Sequence, residues 1–435
     1  MNQRAKDPKP RKKSSVRHTR AIQADRRMRA PAAPPPEDVA RWMDELVKPA
    51  VYAQLAYYRH LGLRDRVLSL PVVMALLLTL LWRQVGSVCE LVRMFEREGL
   101  LWTSPTRVSQ QALSQRLHSF PAELVERVLW DVIGPMQARW QARSRPLPAT
   151  VERAAGHFNR LLVIDGSTLD GLLRKLDVLA TARVGVLAGR IGVLLDLASR
   201  LPVSISFDPD PAAHDMSLLP QLERHLAPGD LVLMDRGLLD FAFFGRLTVR
   251  GVFFLTRPKS NTRLRPMEVL ARQPALHDTL VEAHGQTLRL IELLVRGKWY
   301  RYLTNVTDPQ RLAAMDAADL YGRRWSIEEV FRTVKRLLGL AYIWAGSANS
   351  IQLQIWSTWL IYAMLVDLTD AVADRLQTLF DALSIEMVYR GLYHYVTARN
   401  RGDTRDAVAY LADDAKGLAI IKRPRSPTLT SPSPA

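Results

Sequence analysis

Two four-residue apolar runs, each ending on an aspartate, limit the fold of this chain more than any other feature. Leu161-Leu162-Val163-Ile164 runs into Asp165, and Leu231-Val232-Leu233-Met234 runs into Asp235. Short continuous runs of this kind suit strands buried on both faces, which belong in a sheet covered by helices on each side. The carboxyl ends of such strands are where open α/β sheets place their ligands. A carboxylate there is costly unless it meets a metal or another cation. An aspartate before glycine, as in Asp165-Gly166, is also an ordinary turn, so neither aspartate carries the argument alone.

A third stretch, Tyr321 to Leu340, reads YGRRWSIEEVFRTVKRLLGL. On one continuous α-helix, at about 100° per residue, Tyr321, Arg324, Glu328 and Lys335 fall within about 60° of one another. Ile327, Phe331, Val334 and Leu338 form an adjoining apolar stripe. Mixed charges at this spacing also describe a solvated face with intrahelical ion pairs. Added to the two aspartates, however, Glu328 completes a set of three carboxylates, an oxygen cage suited to two Mg2+ ions or to Mn2+ in their place. Ions about 3.5–4 Å apart would activate an attacking water or hydroxyl and steady the leaving oxygen of a phosphodiester. Asp170, Asp240 and Glu329 are neighbouring alternatives. Glu329 is expected to point away, about 100° round from Glu328.

The net charge of +17 points to a polyanionic partner, since each phosphate neutralised by Lys or Arg releases counterions. The single cysteine, Cys89, excludes a disulfide framework and a Cys-based zinc site and fits a reducing compartment. The polar, basic N-terminus has no apolar core of a signal peptide. The longest apolar run, Leu70 to Trp82, falls short of the roughly 20 residues that span a bilayer and reads as a buried helix.

At 435 residues the chain should hold two or three domains. Residues 1–37 carry eleven Lys or Arg against two Asp and one Glu, and are expected to be a disordered basic tail able to tether DNA. Residues 38–148 are expected to form a helical DNA-binding domain, with helices at Ser87 to Glu98 and Ser109 to His118. Gln111, Gln115 and Arg116 on the second of these could read base edges, and an ordinary helical bundle is the alternative. Beyond Pro146-Leu147-Pro148 the texture changes to a mixed α/β sheet over 149–258, including a helix at Met216 to Leu226. A β-rich insert over 259–306 follows, then the rest of the α/β unit over 307–380 with Glu328, and a helical region over 381–423. The Ser/Pro-rich residues 424–435 are expected to be disordered.

Tyr321, Arg324, Glu328 and Lys335 match the pattern Tyr-x2-Arg-x3-Glu-x6-Lys. On this pattern the chain resembles bacterial insertion-sequence transposases of the type called insertion sequence four. Three further words carry the likeness: Ile164-Asp165-Gly166-Ser167-Thr168-Leu169, Gly229-Asp230-Leu231-Val232-Leu233-Met234-Asp235-Arg236-Gly237, and Tyr302-Leu303-Thr304-Asn305. The similarity runs from about residue 75 to 395. It implies a ribonuclease-H-like mixed sheet with helices on both faces, interrupted by the β-rich insert and preceded by the helical domain. It also implies that Asp165, Asp235 and Glu328 are the catalytic, magnesium-holding triad and that Tyr321, Arg324 and Lys335 hold phosphates of the element's end.

Trp299, with Tyr300 beside it, would stack a base flipped at a hairpin turn. The implied partners are double-stranded DNA at terminal inverted repeats, target DNA and a second copy of the chain in a synaptic homodimer, with no membrane. The implied setting is the bacterial cytoplasm, at the nucleoid. The implied reaction is strand cleavage followed by strand transfer, by a hairpin or another route. An inactive DNA-binding inhibitor and a metal-dependent nuclease without strand transfer are the alternatives. His214-Asp215 reads as a surface cap rather than a catalytic pair.

Overall fold

The computed structural model describes residues 36–85, 87–169, 189–210, 215–340 and 347–422. Residues 1–35 of the expected basic tail, the tail at 424–435, Asp170 and His214 lie outside them. Helices come first: α1 Pro36–Ala53, α2 Leu55–His60, α3 Leu70–Trp82, α4 Val88–Arg97, α5 Gln110–Ser119, α6 Ala122–Ala142 and α7 Ala149–Ala155. Ser87 and Ser109 cap α4 and α5, their hydroxyls accepting from the backbone N–H of Glu90 and Ala112. These caps satisfy donors that no helical carbonyl can reach.

Nine strands form one mixed sheet among the described residues: β1 Leu161–Thr168, β2 Arg190–Asp196, β3 Pro202–Asp208, β4 Leu231–Met234, β5 Phe253–Thr256, β6 Arg265–Gln273, β7 Leu276–Ala283, β8 Gln286–Val295 and β9 Lys298–Thr304. Their spatial order is β3-β2-β1-β4-β5-β9-β8-β7-β6. β2 runs antiparallel to both β1 and β3, while β1, β4 and β5 are mutually parallel. This arrangement is compatible with a ribonuclease-H-like fold. The strands β6 to β9, within the 259–306 stretch read from the sequence as an insert, continue the sheet, because β9 pairs antiparallel with β5 through Thr256 and Leu303.

The apolar runs work as the alternation of side chains along a strand requires. Leu161 and Val163 of β1, with Leu231 and Leu233 of β4, join the larger core on one face. Leu162, Ile164, Val232 and Met234 join a second core on the other face. That second core is closed by α8 Leu219–Glu223 and α9 Phe241–Val249, through Leu222, Phe243, Phe244 and Leu247. The helix expected at Met216 to Leu226 is shorter than its pattern suggests. A 3-10 turn spans Asp215–Leu218, and α8 begins with Pro220 in its first turn, where a missing N–H costs nothing.

The larger core is built around the later helices: α10 Ala314–Arg323, α11 Ser326–Arg332, α12 Ala348–Arg375, α13 Ile385–Arg399 and α14 Ala407–Asp413. Helix α12 is long and apolar enough to cross a membrane by length and composition, yet it is almost wholly buried in this core. A helix apolar all round, packed on every side by protein, is what such a sequence forms in a large core. Its two buried acids, Asp367 and Asp370, are neutralised from α6 and the residues after it. Arg143 reaches them at 2.7 and 2.8 Å, and Arg145 also pairs with Asp370. The same core takes in Met43 and Val47 of α1, Val73 and Leu77 of α3 and Val125 and Leu129 of α6, so the early helices share it with the sheet.

Candidate active site

Parallel pairing places Ile164 beside Met234, so the next residues, Asp165 within β1 and Asp235 just after β4, stand side by side at the same level. Adjacent strands lie about 4.8 Å apart, which brings the two carboxylates within reach of one cation. That cation is Arg324. Its guanidinium donates to Asp165 at 3.2 Å and stands 3.4 Å from Asp235. Arg324 is only 4% exposed, and its Nε lacks a hydrogen-bond partner among the described residues.

Burial pushes the Asp165 carboxyl up to about 6 from an ordinary value of 3.8. Arg324 and the Gly166 N–H oppose that rise, while the charges of Glu328 and Asp235 add to it. The three acids therefore sense one another. Glu328 lies on α11, half-buried, with no ion pair or hydrogen bond to its carboxylate among the described residues. Of the alternatives, Asp240 is spent as the cap of α9, and Glu329 turns to Lys422 at 3.0 Å.

The raised value has a consequence for stability. A carboxyl that holds its proton more tightly when folded stabilises the protein at low pH and loses that contribution as pH rises through about 6. Without divalent ions, urea midpoints should fall between pH 4 and 7 by the equivalent of about 3 kcal/mol more in the wild type than in Asp165→Asn. Equal pH slopes would contradict the burial of this charge.

The stretch from Tyr321 to Leu340 is not the single α-helix its periodicity predicts. It tightens after α10, where Arg324 N–H bonds to Tyr321 O at 3.2 Å and Glu328 N–H to Trp325 O at 3.1 Å. It then widens into a π turn over Thr333–Leu337, with Leu338 N–H reaching Thr333 O at 3.1 Å. The wide turn advances less per residue, so successive residues Val334 and Lys335 both face inward.

Lys335 is consequently 1% exposed, and its ammonium donates to Ser167 Oγ and Thr168 O at the end of β1. Tyr321 is also buried, packed edge-on against Tyr302 at 5.5 Å, and burial pushes its phenol above the usual range. The structure thus gathers Asp165, Asp235, Arg324, Glu328, Tyr321 and Lys335 at one edge of the sheet, with the last two directed into protein.

The remaining candidates lie farther out. Because β9 runs antiparallel to β5 and Leu303 pairs with Thr256, the start of β9 projects past the carboxyl edge. Trp299 stands there, 40% exposed and stacked on His277 at 4.6 Å. On α5, Gln111 and Gln115 are exposed, whereas Arg116 turns inward, its Nε bonding Leu68 O at 3.2 Å and its other end meeting Tyr58.

Two residues of this edge were missed in the sequence. Trp325, between α10 and α11, is 63% exposed and beside Arg324, with the guanidinium 5.5 Å from its ring. Arg257 follows β5 as Asp165 and Asp235 end their runs, and lies 5.5 Å from the Tyr300 ring. Its place after Phe253-Phe254-Leu255-Thr256 was the available signal.

Among the described residues, no three His, Cys, Asp or Glu already close on one point as metal ligands. The chemistry still fits a hard divalent ion: the donors are all carboxylate oxygens, and a guanidinium stands in for the cation between two of them.

Residues 181–364 match the family model of the transposase DDE domain. The DDE match takes in Asp235, Arg324, Glu328 and Lys335 and begins after Asp165. The chain is also 26% identical over 149 residues to a Sinorhizobium fredii protein named "Putative transposase y4zB". That likeness covers 32% of this chain and 42% of the relative, so the chain spans under half the length of the relative it matches. One likeness is to a transposase DDE domain and the other to a protein named a putative transposase. DDE domains generally work with divalent metal ions.

Proposed function

We propose that this chain is an insertion-sequence transposase of the insertion-sequence-four type, which binds the terminal inverted repeats of its element and cleaves and transfers DNA strands. The observation that carries the reading is the convergence of Asp165 and Asp235, from neighbouring parallel strands, on one cation within the field of Glu328. Asp165, Asp235 and Glu328 would hold the divalent ions, Mg2+ with Mn2+ as substitute. When bound, these ions supply Lewis acidity and a lowered pKa at the attacking oxygen.

The protein's own groups would do the remaining work. The paired strands β1 and β4 fix the backbone that carries two of the carboxylates. Lys335 clamps the end of β1 that carries Asp165. Arg257 offers a cation to a backbone phosphate, and Gln111 and Gln115 face outward for base edges. Arg324 belongs to the same edge, with the buried Tyr321 ring beside its guanidinium. Two DNA ends in one reaction require a homodimer, acting in the cytoplasm where the element lies.

Trp325 and Trp299 present flat faces on which an unstacked base can rest. Trp325→Ala should weaken binding to an end with a terminal unpaired nucleotide by about 1–3 kcal/mol per base and leave a fully paired duplex nearly unaffected. Fluorescence anisotropy on the two substrates measures the difference. Equal losses on both would remove the stacking role.

The direct test of the whole reading is cleavage of a labelled duplex carrying the element's own end, with Mg2+ and with EDTA. Mg2+-dependent nicking at the element boundary is expected. Tight binding without nicking would favour the inhibitor.

A further inference from the structure

Arg324 occupies the position between Asp165 and Asp235 that a divalent ion would need. Its guanidinium lies 3.2 and 3.4 Å from the two aspartates, so one positive charge is already shared between them before any metal arrives. Its hold is nevertheless incomplete, because Nε is buried without a partner among the described residues. A buried guanidinium with an unsatisfied N–H is less costly to move than one whose donors are all used. Two aromatic rings lie beside it, Tyr321 at 5.7 Å and Trp325 at 5.5 Å from the guanidinium carbon, and Trp325 is exposed.

We propose that Arg324 is an exchangeable counter-ion. It keeps the two aspartates together in the DNA-free protein, and it must be released to a DNA phosphate before divalent ions bind the same carboxylates tightly. This rests on the reading of Asp165, Asp235 and Glu328 as a metal-holding triad. Metal and DNA then reinforce one another. A phosphate that draws Arg324 away exposes the aspartates, and a metal ion on the aspartates frees Arg324 for phosphate. By linkage the two effects are equal in size. A DNA-free transposase would accordingly hold its metal weakly, which limits indiscriminate cleavage.

The sign of one measurement separates this role from plain scaffolding. If Arg324 only braced the site, removing it would splay the aspartates and weaken metal binding. If it is a counter-ion, removal leaves two unbalanced carboxylates and strengthens it. Mn2+ binding to the full chain without DNA, followed by electron paramagnetic resonance, should be about tenfold tighter in Arg324→Gln than in the wild type. Adding end duplex should tighten Mn2+ binding in the wild type by a similar factor and leave Arg324→Gln nearly unchanged.

Equal or weaker Mn2+ binding by folded Arg324→Gln would overturn the exchange. If that variant does not fold, Arg324→Lys serves, because a single ammonium cannot span both aspartates as a planar fork does. A severalfold gain in Mn2+ affinity is then expected, and no gain overturns the proposal. Asp235→Asn tests the underlying site separately and should bind Mn2+ more weakly than the wild type. Wild-type affinity in Asp235→Asn would overturn the triad reading, and the exchange with it.

Discussion

Glu328→Gln is expected to lower strand cleavage by at least about a thousandfold, equivalent to roughly 4 kcal/mol of barrier, while DNA binding changes little. The substitution keeps the shape of the side chain and removes only its charge. Because the Glu328 carboxylate has no hydrogen bond or ion pair among the described residues, no internal contact is lost with that charge. Its loss should be felt only where the charge matters, next to Asp165. Cleavage of a labelled end duplex in Mg2+ measures the first effect and anisotropy without metal the second. Cleavage comparable to wild type would remove Glu328 from the triad. Weakened binding with intact cleavage per bound complex would make it a DNA contact instead.

The largest effect on stability is expected from Arg289→Ala. Arg289 on β8 is fully buried and donates to both oxygens of Asp278 on β7, at 2.8 and 2.6 Å. Its third bond, 2.7 Å to Leu312 O, fastens the segment leading into α10. Removing the cation leaves a buried carboxylate without its partner, at a cost of about 3–5 kcal/mol. Replacing both partners by apolar residues, as in Arg289→Met with Asp278→Leu, should recover much of that loss. Urea unfolding of the two single variants and the double variant closes the cycle. A loss below about 1 kcal/mol in Arg289→Ala would mean that the pair is solvated in solution.

The contrast between the strands and the key helix shows where sequence was sufficient. Leu161 to Ile164 and Leu231 to Met234 are buried on both faces, so their composition alone announces the strand and places the aspartate that follows. Tyr321 to Leu340 depends on what it packs against. The tightened turn at Arg324 and the wide turn at Lys335 face partners on β1 and just after β4, which no local periodicity encodes. Lys335 and Arg116 look like surface cations in the sequence because their partners, Thr168 O and Leu68 O, are backbone carbonyls far along the chain. Trp325 is illegible for a related reason, and Arg257 only partly legible, from the apolar run before it. One sits in a turn that was read as mid-helix, and the other follows a strand whose neighbours were not yet known.

The pairing of β9 with β5 is likewise tertiary. The strands between 259 and 306 are readable from their composition, but nothing in them says that they prolong the sheet. The arginine that pairs with both Asp367 and Asp370 of the long helix α12 comes from more than 200 residues earlier.

The larger core collects side chains from Met43 to Ile420. During synthesis, the smaller cluster of α3, α4 and α5, centred on Leu76, Phe95 and Leu113, can close first, followed by the sheet face under α8 and α9. The main core has to wait for α12 and the helices after it. A nascent chain still held by the ribosome thus has its aspartate-bearing strands long before it has the support behind them. The main core closes only when the helices from α12 onward have emerged, and a product truncated before α12 would be left with a large exposed apolar face, a substrate for chaperones or proteases.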